Sequence, residues 1–189
     1  MYLLSLAFIS LAMTYLEETD AFRQQMIALL PRLRRFAYSL TSNQSDADDL
    51  VHTACERALG RQDQFEMGTR MDSWMFRIIH TLRIDAARSM RSRTSHASFN
   101  EEYDSGGTVD GSYAQMEAKL MLDNVRQAMK KLSENDQVVL ALVCIDGLTY
   151  KEAAETLEVP VGTVMSRLAR ARIKLNTLLH GNKKMISAH

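Results

Sequence analysis

The chain has 189 residues and a formal net charge of zero, with 46% hydrophobic and 24% charged residues. This length suits one ordinary domain or two small ones and excludes a large multidomain enzyme, and the composition excludes wholesale disorder. Glycine (8) and proline (2) are scarce, which disfavours turn-rich β architectures and predicts helices. The two distant cysteines, Cys55 and Cys144, give no disulfide framework, so a reducing compartment is expected.

An apolar run of 11 residues, from Leu3 to Met13, lies at the start of the chain. It is too short to span a bilayer, and no Lys or Arg precedes it, so it lacks the basic flank of a secretory signal. We therefore expect residues 1–18 to be an N-terminal extension. This extension is either helical or lies partly upstream of a true start at Met13, with a signal segment as the alternative.

Residues 19–95 show a helical pattern and are predicted to form a first small domain. Apolar residues recur at spacings of three and four from Phe22 to Leu40, which is typical of one buried helix face. Pro31 is expected to kink this run or to divide it into two helices. A second helix should follow, capped by Ser45 or Asp46, and a looser loop should separate it from a third.

Residues 96–115 differ in composition from the helical segments on either side. The stretch from His96 to Ser112 contains three glycines and four acidic residues but no Lys or Arg, which is typical of a flexible acidic linker. A structureless stretch of this length would be unusual inside one compact domain. The sequence therefore predicts a second helical domain at 116–182, followed by a tail at 183–189.

The most informative pattern lies between Leu148 and Leu175. Thr149 and Glu152 have the spacing of a capping box, which marks the start of a helix. The sequence VPVGT then predicts a tight connection to a second helix with arginines on its outer faces. Two short helices joined in this way predict a helix-turn-helix, whose second helix enters the major groove of DNA.

The distribution of charge supports a nucleic-acid interface at this end of the chain. From Val159 to His189 there are six Lys and Arg residues and no Asp or Glu. Such a patch suits contacts with phosphates, which supply most non-specific affinity for DNA. The alternative is a solvated basic helix in an unrelated bundle, but the capping box and the tight turn together favour DNA binding.

Three segments resemble motifs of the extracytoplasmic-function sigma factors, the compact branch of bacterial sigma factors. PVGTVMSRLARAR resembles the recognition helix of that family. SDADDLVHTACERAL is similar to its acidic segment, which docks on the clamp helices of RNA polymerase, and SWMFRIIHTLRIDAARSMR is similar to its segment at the upstream DNA. The resemblance covers roughly residues 20–179, with the motifs in the family's order on both sides of the linker.

The resemblance implies an all-α protein with two small helical domains, sigma region 2 at 19–95 and region 4 at 116–182. It implies a cytoplasmic transcription initiation factor, associated with the nucleoid when bound to polymerase, and not an enzyme. Its partners would be core RNA polymerase and promoter DNA, and an anti-sigma factor would hold it inactive, wedged between or around the two domains. No cofactor, metal or catalytic residue is expected.

The resemblance also assigns three sets of residues. Those expected to bind core polymerase are Asp46, Asp48, Asp49, Leu50 and His52. Those expected at the −10 element are Phe65, Met67, Arg70, Met71, Arg77, His80, Thr81, Arg83 and Arg88. For Phe65 and Met71, packing in the core is the alternative. Those expected at the −35 element are Thr163, Met165, Ser166, Arg167, Ala169, Arg170 and Lys174. Trp74 is interpreted as a structural residue because it is in phase with the buried helix face.

The chain departs from the family's pattern at four of its positions. Thr81 stands where Asn is common, which puts the exact −10 sequence in doubt, and His52 replaces a common Gln. Cys55 replaces an aromatic residue, and Met165 stands where Lys or Arg is frequent, so non-specific attraction to DNA should be slightly weaker.

Three alternatives are weighed against this interpretation. One is a helix-turn-helix repressor or activator that does not bind polymerase, although the acidic segment argues against it. Another is a sigma-like decoy that titrates an anti-sigma protein, although the retained basic recognition helix argues against that. His52 and Cys55 lie one turn apart and could ligate a metal, but two ligands do not make a zinc site.

Overall fold

A computed structural model describes residues 2–93 and 113–181, and within these ranges the secondary structure is entirely helical. The all-α expectation is therefore confirmed, whereas most of the expected linker and the C-terminal tail lie outside the described residues. In chain order the elements are α1 (Tyr2–Thr41), α2 (Gln44–Leu59), a 3-10 turn (Gln62–Gln64), α3 (Met71–Arg93), α4 (Tyr113–Lys130), α5 (Glu134–Leu140), a π-helical turn (Ala141–Ile145), α6 (Tyr150–Leu157) and α7 (Val161–Gly181).

Helix α1 runs without a break from the expected N-terminal extension into the first domain. Pro31 lies inside it, so of the two expectations, a kink or a division into two helices, the division is wrong. Buried residues flank the proline on both sides, with Met26 before it and Leu33 and Phe36 after it. Their packing outweighs the backbone hydrogen bond that the proline cannot donate. No helix in the described parts of the chain is both long and apolar enough to cross a bilayer.

The start of α2 corrects a second expectation. The side chain of Asn43 accepts a hydrogen bond from the backbone N–H of Asp46 (3.1 Å), so Asn43 is the N-cap and neither Ser45 nor Asp46 is. The cap residue has extended backbone, and its side chain satisfies one of the free N–H groups of the first turn. Asp46 instead lies in that first turn, where the helix dipole favours a carboxylate.

The first three helices enclose the core of the N-terminal half. Phe22, Phe36 and Phe76 are fully buried, and the rings of Phe36 and Phe76 lie 4.6 Å apart between their centroids. Small residues on α2, among them Ala47 and Ala54, are also fully buried. A small residue at such a position lets a neighbouring helix approach closely.

In the C-terminal half, both reciprocal hydrogen bonds of the expected capping box are present at the start of α6. Thr149 accepts from the backbone N–H of Glu152, and the Glu152 carboxylate accepts from the backbone N–H of Thr149. The helix ends at Glu158, whose φ of 53° is left-handed. Helix α7 then follows with 21 residues, so it is longer than the short helix expected from the sequence.

The two halves pack against each other in this structure, and their buried side chains form one continuous core. Arg32 of α1 donates to Asp72 at the start of α3 (2.6 Å) and to Asp146 in the turn before α6 (3.1 Å). One guanidinium therefore joins the two halves. This arrangement places α6 directly against α3 and sets the geometry of the residues considered next.

Candidate nucleic-acid and polymerase interfaces

Helix α7 presents one buried face and one open face. Its start is defined by a hydrogen bond from the N–H of Thr163 to the carbonyl of Pro160 (2.8 Å), and its inner face is buried at Val164, Leu168 and Ala171. The side chains expected to read DNA lie on the other faces. Exposed among them are Met165, Ser166, Ala169, Arg170 and Lys174, while Thr163 and Arg167 are half-buried.

Arg170 is held by a single acidic neighbour but stays accessible. Its guanidinium lies 3.6 Å from the carboxylate of Asp136 and is 65% exposed, whereas the Asp136 side chain is largely buried. The contact orients the arginine without covering it. The group can therefore still donate two parallel hydrogen bonds to a base edge or a phosphate.

Arg77 of α3 has a different environment, because it contacts the carboxyl end of α6. Its Nε donates to the carbonyl of Thr156 (3.1 Å) and one Nη donates to the carbonyl of Glu155 (2.9 Å). The other Nη donates to the carboxylate of Glu158 (2.6 Å). Helix C-terminal carbonyls lack partners within their own helix, and a cation there is favoured by the dipole. Arg77 therefore caps α6 from the other half of the molecule.

Arg70 belongs to the same contact between the two halves, and it bridges two carboxylates. It donates to both oxygens of Asp72 (3.1 and 2.8 Å) and to Glu152 of α6. Burial tends to raise the pKa of Asp72. The hydrogen bonds from Arg70, the Ser73 N–H and Arg32 outweigh this effect and lower its pKa to about 2.

His80 lies one turn beyond Arg77 on α3 and faces the C-terminal half. Burial lowers the pKa of its imidazole, and the nearby positive charge of Arg167 lowers it further, against the opposing effect of Glu134. The neutral form is therefore favoured in this position. One predicted −10 residue and one predicted −35 residue thus lie close enough to influence each other.

Two residues that were expected in the base-capturing loop, Phe65 and Met71, are in the core, as the alternative for them predicts. Phe65 is 7% and Met71 4% exposed. The ring of Phe65 packs on Phe22 and Trp74, with centroids 5.6 and 5.2 Å away, because burial of these aromatic surfaces stabilises the loop. Trp74 has the structural role that its phase on the helix predicted. In the same loop Met67 is exposed.

The remaining predicted −10 residues lie along α3 beyond the contact with α6. Thr81 and Arg88 are exposed, and the Thr81 hydroxyl donates to the carbonyl of Arg77 in its own helix (2.9 Å). Arg83 is half-buried and donates to the carbonyl of Leu40 near the end of α1 (3.0 Å). Arg83 therefore caps α1, a structural role that its position in the sequence did not indicate.

The predicted polymerase-binding residues share the first two turns of α2. Asp46, Asp49 and His52 are exposed, and Asp48 and Leu50 are half-buried. Asp48 is paired with Arg34 of α1 (3.2 Å), and His52 with Glu56 of its own helix (3.2 Å). The structure thus brings the set together as one acidic surface beside the half-buried Leu50.

No feature of the sequence indicated the ion pairs at Asp146. This carboxylate is fully buried and lies 3.1 Å from Arg32 and 3.4 Å from Arg35. Burial raises its pKa, and the two arginines act in the opposite direction. An Asp before Gly147 is an ordinary turn signal, so nothing in the local sequence marks it as a contact between halves.

Comparison with known proteins identifies both halves of the chain. Residues 26–80 match the family model described as the sigma2 domain of PhyR, and residues 122–175 match that described as sigma-70, region 4. The ECF RNA polymerase sigma factor EcfG of Rhodopseudomonas palustris is 36% identical over 86% of this chain and 87% of its own. SigW of Bacillus subtilis, also an ECF sigma factor, is 28% identical over 86% of this chain and 90% of its own.

Solved structures give the same result at the level of the fold. The sigma factor RpoE of Bartonella quintana, in complex with the anti-sigma factor NepR, superposes with a TM-score of 0.71. It is 30% identical, and the match covers 85% of this chain and 97% of that one. CnrH, in complex with the cytosolic domain of CnrY, superposes with a TM-score of 0.59 and 26% identity.

Proposed function

Because this chain belongs to the family of extracytoplasmic-function sigma factors, we propose that it directs core RNA polymerase to the promoters of a stress or signal regulon. The observation that carries the proposal is the open face of α7, where Arg170 and Lys174 are exposed above a fully packed inner face. Arg170 stays accessible beside Asp136, and an exposed cationic helix face of this kind suits the major groove.

The two halves divide promoter recognition between them. The region-4 domain at 116–182 takes the −35 element through α7, and the region-2 domain at 19–95 takes the −10 element through α3 and the loop before it. Their cations supply phosphate contacts, while side chains at base edges supply sequence preference. The burial of Phe65 and Met71 leaves Met67, Arg70 and the exposed residues of α3 to carry the −10 contacts.

The acidic surface of α2 docks on polymerase. Asp46 and Asp49 are exposed on one side of the helix, and Leu50 lies beside them as a partly buried apolar anchor. Complementary charge at such a surface accelerates encounter and rejects wrong partners more than it adds affinity. The chain would work in the cytoplasm, associated with the nucleoid when it is bound to polymerase.

An anti-sigma factor controls the protein. Support comes from two similar structures, in which RpoE is bound to NepR and CnrH is bound to CnrY. The halves of this chain contact each other directly through Arg77 and α6. A partner of the closed form therefore binds around the two domains rather than wedged between them.

Start-site selection tests the proposal. The chain is added to core polymerase of the source bacterium on a genomic DNA library, and the 5′ ends of the transcripts are sequenced. We expect a distinct set of start sites that core polymerase alone does not produce. Transcripts indistinguishable from those of core polymerase would contradict the function.

A decoy that sequesters an anti-sigma factor is the second candidate, and one observation favours it. Residues 26–80 match the sigma2 domain of PhyR. The anti-anti-sigma factor PhyR, in its complex with the anti-sigma factor NepR, shares the fold at 17% identity. The open basic face of α7 argues against it, since a decoy has no use for DNA contacts. A decoy would bind the anti-sigma partner and fail in the start-site assay.

A further inference from the structure

Two arginines of the cationic surface at the start of α3 contact the first helix of the helix-turn-helix. Arg70 contacts Glu152 near the start of α6, and Arg77 contacts Glu158 just past its end. Arg70 directly precedes α3, and Arg77 lies inside that helix seven residues later. The two arginines contact opposite ends of α6. These are the same arginines that the proposed function assigns to the −10 element.

The groups that α6 offers to Arg77 resemble those that DNA would offer. Two helix-terminal carbonyls and a carboxylate surround the guanidinium at 2.6–3.1 Å. Together they form a cluster of oxygen acceptors with negative charge at the end of a helix dipole. A backbone phosphate presents the same chemistry, and an arginine cannot serve both acceptors at the same time.

A second contact reinforces the closed arrangement at the other side of α6. Asp146 lies in the turn before this helix and is fully buried against Arg32 and Arg35 of α1. Arg32 also holds Asp72, which in turn binds Arg70. The two contacts therefore belong to one connected set of charges between the halves.

We propose that α6, with Glu158 and the Asp146 turn, is an internal competitor that occupies Arg70 and Arg77 of the −10 reading face in the free protein. The DNA part of this inference rests on the proposed function, while the closed arrangement does not. In the closed form the outer face of α7 stays open, so −35 DNA can be bound before −10 DNA. When the protein opens, Arg70 and Arg77 lose their acceptors on α6 and donate to DNA phosphates instead.

The competition is reversible because most of its contacts are only partly buried. Arg77 and Glu158 are 43% and 70% exposed in their side chains, and exposed ion pairs contribute little individually and weaken with salt. Polymerase or −10 DNA can therefore shift the population toward the open form by binding that form more tightly.

A matched pair of charge-neutralising variants tests the competitor. Glu158→Gln removes the carboxylate that contacts Arg77 and keeps a side chain of the same size. Glu155→Gln is the control, since its carboxylate contacts Lys151 on α6 and only its carbonyl, which remains, accepts from Arg77. Asp146→Asn is a third variant that weakens the second contact without touching the −10 residues.

Two readouts separate opening from DNA binding. Single-molecule energy transfer between dyes at Thr53 of α2 and Asn176 of α7, both exposed, reports the open fraction in the full chain. The dyes are attached through encoded azide residues, which spares the native cysteines. Anisotropy of a fluorescein-labelled single-stranded DNA of random sequence reports the availability of the cationic face of α3 as the change in affinity relative to the wild type, because the face of α7 is open in both forms.

We expect Glu158→Gln to raise the ratio of open to closed molecules about two- to fivefold, and to raise affinity for the single strand by a similar factor. Asp146→Asn should raise both further, because it removes a buried charge that is the partner of two arginines. Glu155→Gln should leave both unchanged. Equal effects of Glu158→Gln and Glu155→Gln, an open wild type at low salt, or opening without tighter DNA binding would overturn the proposal. Failure of start-site selection would instead reject the proposed function and leave the closed form intact.

Discussion

Arg77 and Arg170 show how surroundings decide what an arginine is free to do. Arg77 is held by three acceptors of α6, so its interaction with DNA requires that contact to break. Arg170 has one acidic neighbour at 3.6 Å and is otherwise open. Their positions in the motifs predicted that both bind DNA, but the motifs do not distinguish the covered arginine from the open one.

Arg170→Ala should reduce transcription from a promoter with an intact −35 element about tenfold, because a bidentate arginine–guanine contact contributes roughly 1–3 kcal/mol. Core polymerase should be retained equally well in a pull-down. Arg172→Ala is the matched comparison: this exposed arginine of α7 is outside the predicted reading set, so its loss should weaken only the smaller, sequence-independent attraction to phosphates. Run-off yields that are the same for both variants would reject the role of Arg170.

Asp72 should make stability depend on pH in a defined window. Its pKa is about 2, below its ordinary value of 3.8, so the ionised form stabilises the folded state. That contribution, up to about 2 kcal/mol, should be present above pH 4 and be lost as the pH falls toward 2. Asp72→Asn should lack it.

Urea unfolding of the wild type and Asp72→Asn at a series of pH values measures the difference. The free energies of unfolding should differ at pH 7 and converge near pH 2. Asp20→Asn is the control, because Asp20 lies 3.6 Å from Arg23 on the exposed surface of α1 and such pairs contribute little. A constant gap between wild type and Asp72→Asn across the range would contradict the assignment.

At the scale of elements, most helices follow from local sequence signals. The period of three to four gave the buried faces of α1, α3 and α7, and the T-x-x-E spacing gave the start of α6. Local signals failed where packing outweighs them, as at Pro31 inside α1. They also failed where several polar residues compete to cap a helix, as with Asn43 before α2.

The capping box of α6 should be worth a measurable part of the stability of the C-terminal half. Thr149→Ala removes the acceptor for the Glu152 N–H, and loss of an N-cap typically costs about 1 kcal/mol. The free energy of unfolding in urea should fall by that amount. Thr53→Ala is the control, since the Thr53 hydroxyl donates a hydrogen bond to the Asp49 carbonyl on an exposed face of α2. An equal loss of stability in both variants would contradict the role of the cap.

At the scale of the whole molecule, the sequence predicted the two halves but not their contact. Periodicity identifies which face of a helix is buried, yet it does not say against which distant segment. Arg32 and Asp146 are 114 residues apart, and Arg77 and Glu158 are 81 apart. Ion pairs between such positions depend on the final arrangement of several helices, so no local pattern reports them.

The central claim is that α3 and α7 of one chain read two elements of the same duplex. It is tested most directly by inserting about 5 base pairs, roughly half a helical turn, between the two elements of a promoter that the chain selects. Run-off transcription should then fall close to the level of core polymerase alone, because the second element faces the wrong side of the duplex. Unchanged transcription from the lengthened promoter would contradict the account.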